Sequence, residues 1–182
     1  MDWKEQIDQR AAKTAKEEMY SFVDKQTKTR LSRLSLPLPD HNLKENEILR
    51  NKLWIGNFES AENLCSQSIK AVISLGSPHS KYTDVNNIIY HRILIDDDES
   101  CNIKQHFESA ISFIDLHINN GGVLVHCQAG ISRSATICIA YLMKSVGLSF
   151  DASFVVVRFA RSTIAPNGGF IKQLLQYENE IN

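Results

Sequence analysis

The most informative stretch of the sequence is Val125-His-Cys-Gln-Ala-Gly-Ile-Ser-Arg-Ser134. It continues the mostly apolar run Val123-Leu-Val-His126, which predicts a short buried strand, and it leads into a helical pattern that extends to about residue 146. Proteins of the α/β class bind phosphate at such a junction, because the helix N-terminal amides and the helix dipole favour an anion there. The stretch therefore predicts a phosphate-binding loop.

Cys127 lies at the base of this predicted loop and is the candidate nucleophile. Gly130 permits the backbone to turn where a Cβ atom would clash, and Arg133 offers a planar guanidinium that pairs bidentately with phosphate. The amides, the dipole and Arg133 together stabilise a thiolate, which is the nucleophilic form of cysteine. The amides expected to surround the phosphate oxygens belong to Gln128, Ala129, Gly130, Ile131, Ser132 and Arg133. The pattern predicts hydrolysis of phosphate monoesters through a phosphocysteine.

Two neighbours of this loop are assigned supporting roles. Ser134 directly follows Arg133, so its hydroxyl is expected to hydrogen-bond the Cys127 sulfur and to ease its departure when phosphocysteine is hydrolysed. His126 precedes the nucleophile and is expected to fix the loop through hydrogen bonds and not to transfer protons itself. The alternative is a buried structural cysteine before an ordinary helix. It is disfavoured because His126, Gly130, Arg133 and Ser134 all occupy the positions that the motif requires after a strand.

The rest of the chain alternates strands with helices from about residue 52. Ser100 or Asn102 is expected to cap the helix that precedes the motif. We predict strands at 52–56, 71–75, 88–95 and 123–126, and helices at about 61–68, 104–118, 131–146, 150–161 and 168–181. This alternation predicts a central, mostly parallel sheet flanked by helices.

The first part of the chain follows a different pattern. Apolar residues recur at three- and four-residue steps over residues 2–24 and predict an additional N-terminal helix, docked on the domain or used for partner binding or self-association. A basic segment and two prolines then predict a linker. We accordingly divide the chain into residues 1–42, the N-terminal helix and linker, and residues 43–182, the catalytic domain.

Composition excludes several classes of function. The formal net charge of −1 argues against nucleic acid or an anionic membrane as partner, and no apolar run is long enough to span a bilayer. The polar N-terminus does not resemble a secretory signal. The four cysteines lack metal-site spacing and read as reduced thiols, which favours a cytoplasmic or nuclear location. No metal or other cofactor is expected, because Arg133 and the loop amides supply the positive charge.

The motif resembles the signature His-Cys-x5-Arg-Ser of the cysteine-dependent protein tyrosine phosphatases, and in detail it resembles the dual-specificity protein phosphatases. The similarity extends to Leu53-Trp-Ile-Gly56, to Ala140-Tyr-Leu-Met143 and to Pro166-Asn-Gly-Gly-Phe170, and it covers roughly residues 45–182. The resemblance implies the phosphatase fold of that superfamily. It also implies hydrolysis of phosphotyrosine and of phosphoserine or phosphothreonine on proteins.

A general acid must protonate the leaving oxygen, and the acidic run after the strand at 88–95 supplies the candidates Asp96, Asp97, Asp98 and Glu99. The resemblance places the acid five residues before the polar residue that opens the next helix. Counting back from Asn102 gives Asp97, with Asp96 and Asp98 as the alternatives.

The resemblance also implies that Asn167 hydrogen-bonds the backbone of the phosphate loop; the alternative is an ordinary turn residue. Where the family often has Arg-Arg-Pro, this chain has Ala160-Arg161-Ser162, which puts a second basic contact on that surface in doubt. Cys138 is expected in the core. Cys101, beside the acidic run, is a weaker candidate for a regulatory disulfide with Cys127.

Substrate class and partners are less sharply indicated. The loop lacks the lysines of related phosphoinositide phosphatases, which disfavours a phosphoinositide or an RNA 5′-phosphate as substrate. A low-turnover protein that binds phosphorylated partners is a further alternative, against which the presence of Cys127 and Arg133 counts. Residues 28–38 resemble docking peptides of mitogen-activated protein kinases, although a solvated linker explains the same pattern. The expected partner is a phosphorylated protein.

Overall fold

The computed structural model describes the following parts of the chain: residues 45–49, 52–62, 64, 69–76 and 88–182. The predicted N-terminal helix and the basic linker lie outside these residues. Within the described residues, no helix is both long and apolar enough to cross a membrane.

A five-stranded sheet forms the centre of the fold, with the strand order β1-β2-β5-β3-β4. The strands are β1 (Glu45–Leu49), β2 (Leu53–Gly56), β3 (Ile69–Leu75), β4 (Ile89–Ile93) and β5 (Gly122–His126). The pairs β2–β5, β5–β3 and β3–β4 are parallel, and only the edge strand β1 pairs antiparallel with β2. The prediction of a mostly parallel sheet is therefore confirmed.

Strand β1 was not predicted from the sequence. Its residues Glu45-Asn-Glu-Ile-Leu49 contain only two apolar side chains, because an edge strand needs few, and an irregularity between Glu47 and Leu49 interrupts its register with β2. Strand β4 is shorter than predicted and covers Ile89–Ile93 instead of residues 88–95. Leu94 and Ile95 instead begin the loop that carries the acidic run.

In the described part of the chain, five α-helices surround the sheet: α1 (Phe58–Glu62), α2 (Phe107–His117), α3 (Arg133–Tyr141), α4 (Phe150–Ala160) and α5 (Gly168–Ile181). A 3₁₀ turn at Lys104–His106 precedes α2, and Asn102 accepts a 3.4 Å hydrogen bond from the Gln105 amide at its start. A wider π turn at Leu142–Val146 extends α3 to the predicted end at residue 146. Helix α1 begins earlier than the predicted residue 61, since the side chains of Asn57 and Ser60 cap each other's amides.

The two faces of the sheet are covered unequally. The larger apolar core lies between the sheet and the helices α2–α5. A smaller cluster, which includes Trp54 and Leu124, lies on the opposite face beside α1. Helix α3 is buried over Ser134–Tyr141, and β5 is buried along its whole length between β2 and β3. The β5–α3 junction is therefore held rigidly at the centre of the domain.

Candidate active site

Cys127 follows β5 directly and is 2% exposed. Its Sγ atom lies 3.3 Å from the Ser134 hydroxyl oxygen, the contact expected from the sequence, and it accepts a hydrogen bond of 3.3 Å from the Gly130 amide. The buried strand behind it and the buried helix α3 after it fix the position of the sulfur. Cys127 is thus presented at the base of a short loop, residues 127–133, which we call the phosphate loop.

The backbone of the phosphate loop turns at Gly130, which has a φ of +70°. A Cβ atom at this position would lie 2.6 Å from the Gly56 carbonyl oxygen, so both the left-handed conformation and the close packing require glycine. This agrees with the reason given for Gly130 from the sequence. Backbone donors from neighbouring segments hold the loop at two points: the Phe58 amide donates to Gln128 O, and the Ala165 amide donates to Ile131 O.

Arg133 is the first residue of α3 and connects the phosphate loop to the acidic run. Its Nη1 atom donates to the Ile95 carbonyl oxygen at 3.2 Å. Its Nε atom lies 3.6 Å from Asp97 Oδ2. These contacts orient the guanidinium, which limits the side-chain entropy lost when a phosphate binds.

Asp97 is the acidic residue that contacts the phosphate loop. Its Oδ1 atom accepts hydrogen bonds from the Ser132 hydroxyl at 2.6 Å and from Asn167 Nδ2 at 2.9 Å. Asp98 instead accepts from the amide and the hydroxyl of Ser100, and these bonds lower the pKa of its carboxyl group. These contacts distinguish Asp97 from Asp98, which with Asp96 was an alternative to it, and the role of Asp97 as the acid stays a prediction.

Asn167 makes different contacts from those expected. Its side chain donates to Asp97 and accepts from the Phe170 amide at 2.9 Å, which caps α5, whereas the sequence predicted a bond to the phosphate-loop backbone. The link to the loop instead runs from the Asn167 backbone amide to the Ser132 hydroxyl at 3.2 Å. That prediction was wrong in its partner, because the N-cap position already directs the side-chain oxygen at the first turn of α5.

His126 is 2% exposed and lies at the end of β5. Burial lowers the pKa of its imidazole to about 4, and a hydrogen bond with the Cys127 backbone opposes part of this shift. The ring is therefore neutral at neutral pH. This low pKa makes the ring a weak base, and the expectation that His126 does not transfer protons stays a prediction.

Two further cysteines are described. Cys138 is completely buried in α3, and burial raises the pKa of its thiol, with a smaller contribution from Cys127. It is a core residue, as expected. Cys101 is partly exposed and has a free thiol, so its disulfide with Cys127 stays a prediction.

Sequence reasoning missed three residues around the phosphate loop. The Ser132 hydroxyl joins the loop to Asp97 and to Asn167, although only its amide was assigned a role. Arg161, the basic residue that this chain retains where the family often has Arg-Arg-Pro, donates to the loop carbonyl oxygens of Ala129 and Gly130. Asn46, on the edge strand that was not predicted, accepts from Arg161. Local sequence carries no signal for these contacts, since each joins residues more than thirty positions apart.

The chain belongs to the family of dual specificity phosphatase catalytic domains, whose model matches residues 53–180. Dual specificity protein phosphatase 5 of Rattus norvegicus is 42% identical over 133 residues, which are 71% of this chain and 34% of that protein. The chain thus spans about a third of the length of that relative. Putative tyrosine phosphatase 123R of Invertebrate iridescent virus 6 is 41% identical over 131 residues, which are 71% of this chain and 89% of that protein.

A third relative is the MAP kinase phosphatase with leucine-rich repeats protein 1 of Dictyostelium discoideum, 36% identical over 139 residues (75% of this chain, 16% of that protein). Among solved structures, DUSP15 matches with a TM-score of 0.68 and 35% identity over 74% of this chain and 86% of that one. The human tyrosine phosphatase-like serine/threonine/tyrosine-interacting protein matches with a TM-score of 0.69 and 34% identity, over 75% of this chain and 96% of that one. These matches agree with the α/β fold described above.

Proposed function

We propose that this protein is a dual-specificity protein phosphatase that hydrolyses phosphotyrosine and phosphoserine or phosphothreonine through a phosphocysteine on Cys127. The observation that carries the proposal is the convergence of Cys127, Arg133 and Asp97 on one phosphate loop, with Ser132 and Asn167 holding the Asp97 carboxyl group. Relatives named as dual specificity phosphatases support the choice of substrate class.

In the first step, the Cys127 thiolate attacks phosphorus and the bond from phosphorus to the substrate oxygen breaks. Asp97 donates its proton to that leaving oxygen. The amides of Gln128, Ala129, Gly130, Ile131, Ser132 and Arg133, together with the Arg133 guanidinium, stabilise the equatorial oxygens of the transition state. The products are the free hydroxyl group of the substrate and phosphocysteine.

In the second step, the ionised Asp97 takes a proton from water, whose oxygen attacks the phosphorus of phosphocysteine. The sulfur–phosphorus bond breaks, and the Ser134 hydroxyl at 3.3 Å stabilises the departing thiolate by a hydrogen bond. His126, neutral and buried, fixes the start of the loop. Asn167 keeps Asp97 over the loop through both steps.

Two alternatives make different predictions about substrate and turnover. A phosphoinositide or RNA 5′-phosphatase would use the same chemistry, but the phosphate loop contains no lysine. A low-turnover protein that binds phosphorylated partners would share the fold, and one structural neighbour is named a phosphatase-like interacting protein. The intact set of Cys127, Arg133 and Asp97 favours turnover.

Phosphate release in the presence of EDTA tests the proposal directly. Wild type and Cys127→Ser are compared on a phosphotyrosine peptide, a phosphothreonine peptide and a phosphoinositide. We expect Cys127-dependent release from both peptides. Release from the lipid alone would keep the mechanism and overturn the substrate class, and no release from any of the three would leave the binding protein as the better interpretation.

The partner we propose is a phosphorylated protein, and a mitogen-activated protein kinase is the specific candidate. One relative bears the name MAP kinase phosphatase, and residues 28–38 carry the basic and apolar pattern of a docking peptide. A reactive thiolate needs a reducing compartment, which favours the cytoplasm or the nucleus.

Deletion of residues 1–42 tests the docking peptide: we expect slower phosphate release from a phosphorylated kinase and unchanged release from an aryl phosphate. If the deletion leaves the rates on both substrates unchanged, docking is excluded.

A further inference from the structure

The outward-facing carbonyl groups of the phosphate loop are held by donors from outside the loop. Backbone amides hydrogen-bond the first and last of four consecutive carbonyl groups. Phe58 N donates to Gln128 O at 3.1 Å, and Ala165 N donates to Ile131 O at 3.0 Å. The two carbonyls between them, of Ala129 and Gly130, accept from a side chain instead.

That side chain belongs to Arg161, which follows α4. Its Nε atom donates to Gly130 O at 2.9 Å, and its Nη2 atom donates to Ala129 O at 3.3 Å. The third nitrogen, Nη1, donates to Asn46 Oδ1 at 2.8 Å. Asn46 lies on β1 and is only 6% exposed, so the guanidinium is held between the phosphate loop and the edge strand.

Holding these two carbonyl groups fixes the amides on the other side of the same peptide units. In a planar trans peptide the N–H group points away from the preceding C=O group. The Ala129 carbonyl faces Arg161, and the Gly130 amide of that same unit donates to Cys127 Sγ at 3.3 Å. Arg161 therefore acts on the inner, anion-facing surface of the loop through its hydrogen bonds to the outer surface.

Charge adds to this positioning effect. Burial lowers the pKa of the Arg161 guanidinium, and the Cys127 sulfur opposes the shift, yet an arginine keeps its charge in proteins. A charged donor on a carbonyl oxygen polarises the peptide unit and strengthens its N–H group as a donor. A lysine cannot reproduce the arrangement, because the three contacts use the planar fork of the guanidinium.

We propose that Arg161 is a positioning residue for the phosphate loop and that Asn46 holds it in place. The inference rests on the proposed function, since it assigns Arg161 to the loop that binds the phosphoryl group. It also makes β1 a part of the catalytic support, although this strand precedes the residues 53–180 that match the family model.

The test compares Arg161→Met with Arg158→Met, a matched control on an exposed arginine in the last turn of α4. Turnover of an aryl phosphate is expressed per active site from the burst of released phenol, so that misfolded protein does not count. We expect Arg161→Met to lower kcat about tenfold or more and to change KM much less, because the amides stabilise the transition state more than the substrate. Calorimetry with tungstate, an oxyanion that needs no turnover, should show weaker binding of similar size.

Asn46→Ala provides a second route to the same conclusion if Arg161→Met fails to fold. By itself, Asn46→Ala should lower kcat and tungstate affinity more than twofold relative to Arg158→Met. Where Arg161→Met folds, the fall for Asn46→Ala should be the smaller of the two, and adding Asn46→Ala to Arg161→Met should cause no further fall, because the two residues act through one contact. Arg161→Lys should not restore kcat. The inference would be overturned if kcat and tungstate affinity of Arg161→Met lay within twofold of those of Arg158→Met. If Arg161→Met does not fold, the same criterion applies to Asn46→Ala. If wild type binds tungstate but releases no phosphate, the proposed function is wrong. The inference about Arg161 is then tested by the tungstate affinities alone.

Discussion

The phosphate loop and the acidic run that faces it are supported in opposite ways. The phosphate loop contains a nucleophile that is 2% exposed, and donors from α1, from Arg161 and from the segment before α5 hold its backbone. The acidic run, Asp96–Glu99, is exposed over all four residues. The bonds that reach it from the phosphate loop and from α5 go to the carboxyl group of Asp97.

This difference separates two requirements of phosphoryl transfer. The oxygens of a phosphoryl group are the same in every substrate, so the groups that bind them gain most from being fixed in advance. The leaving oxygen belongs to a tyrosine, serine or threonine, so the group that protonates it is better carried by an exposed loop. Changes in the phosphate loop should therefore affect all substrates alike. Changes in the acidic run should affect mainly substrates with poor leaving groups.

The largest effect is expected from the phosphate loop itself. Arg133→Lys removes the bidentate fork, and we expect kcat to fall by about 10³-fold on an aryl phosphate and on a phosphothreonine peptide alike. Steady-state kinetics with both substrates provides the measurement, and Arg158→Lys is the matched control. A tenfold larger effect on one substrate than on the other would contradict the proposed division.

The next effect separates the two substrates. Asp97→Asn should lower kcat by about 10²-fold on a phosphothreonine peptide, because the alkoxide leaving group needs the proton. The fall should be much smaller on an aryl phosphate, whose leaving group needs little protonation. Asp98→Asn is the control, since the amide side chain that it introduces keeps an oxygen to accept the Ser100 bonds. Normal turnover of the peptide by Asp97→Asn would exclude Asp97 as the acid.

Two adjacent glycines at the start of α5 allow the support of the acidic run to be tested without touching its charges. A Cβ atom on Gly169 would lie 2.0 Å from the Glu99 carbonyl oxygen, whereas on Gly168 it would lie 3.0 Å from the movable end of the Glu99 side chain. Gly169→Ala should therefore displace the acidic run and lower kcat on the phosphothreonine peptide about tenfold, with little change on the aryl phosphate. Gly168→Ala should change neither. Equal behaviour of the two variants would show that the backbone contact does not position Asp97.

The smallest effect concerns stability and pH. Burial lowers the pKa of His126 to about 4 in the folded protein, whereas the unfolded chain binds this proton near pH 6.5. Between these values the unfolded state holds more protons, so the free energy of unfolding falls as the pH falls. We expect the free energy of unfolding, measured by urea denaturation, to fall between pH 7 and pH 5.5 by about 1 kcal/mol more in wild type than in His126→Gln. An equal loss in both proteins would show that His126 is not buried as described.

The sequence predicted the parts of the site that are adjacent in the chain. Cys127, Gly130, Arg133 and Ser134 lie within one strand–loop–helix unit, so their spacing already determines how they are placed. The parallel sheet was also predictable, because buried strands alternate with amphipathic helices. Asp97 needed the family resemblance, since four neighbouring acidic side chains give no local signal that distinguishes them.

The remaining contacts depend on the tertiary fold. Arg161 meets Asn46 only because β1 lies at the edge of the sheet, 115 residues away in the chain. The side chain of Asn167 turns to Asp97 because its oxygen caps α5 and its backbone amide already bonds Ser132. Such contacts are decided by packing between distant segments, and hydrophobic periodicity does not encode them.

Acid quenching during turnover tests whether the phosphoryl group passes through Cys127. Wild type is mixed with excess phosphothreonine peptide, quenched within the first turnovers, digested with pepsin at low pH and examined by mass spectrometry. We expect one phosphoryl group on the peptide that contains Cys127. More of it should be retained in Asp97→Asn mixed with an aryl phosphate, because the second step is slowed. Turnover without this modification, or with the phosphoryl group on another residue, would show that Cys127 is not the nucleophile.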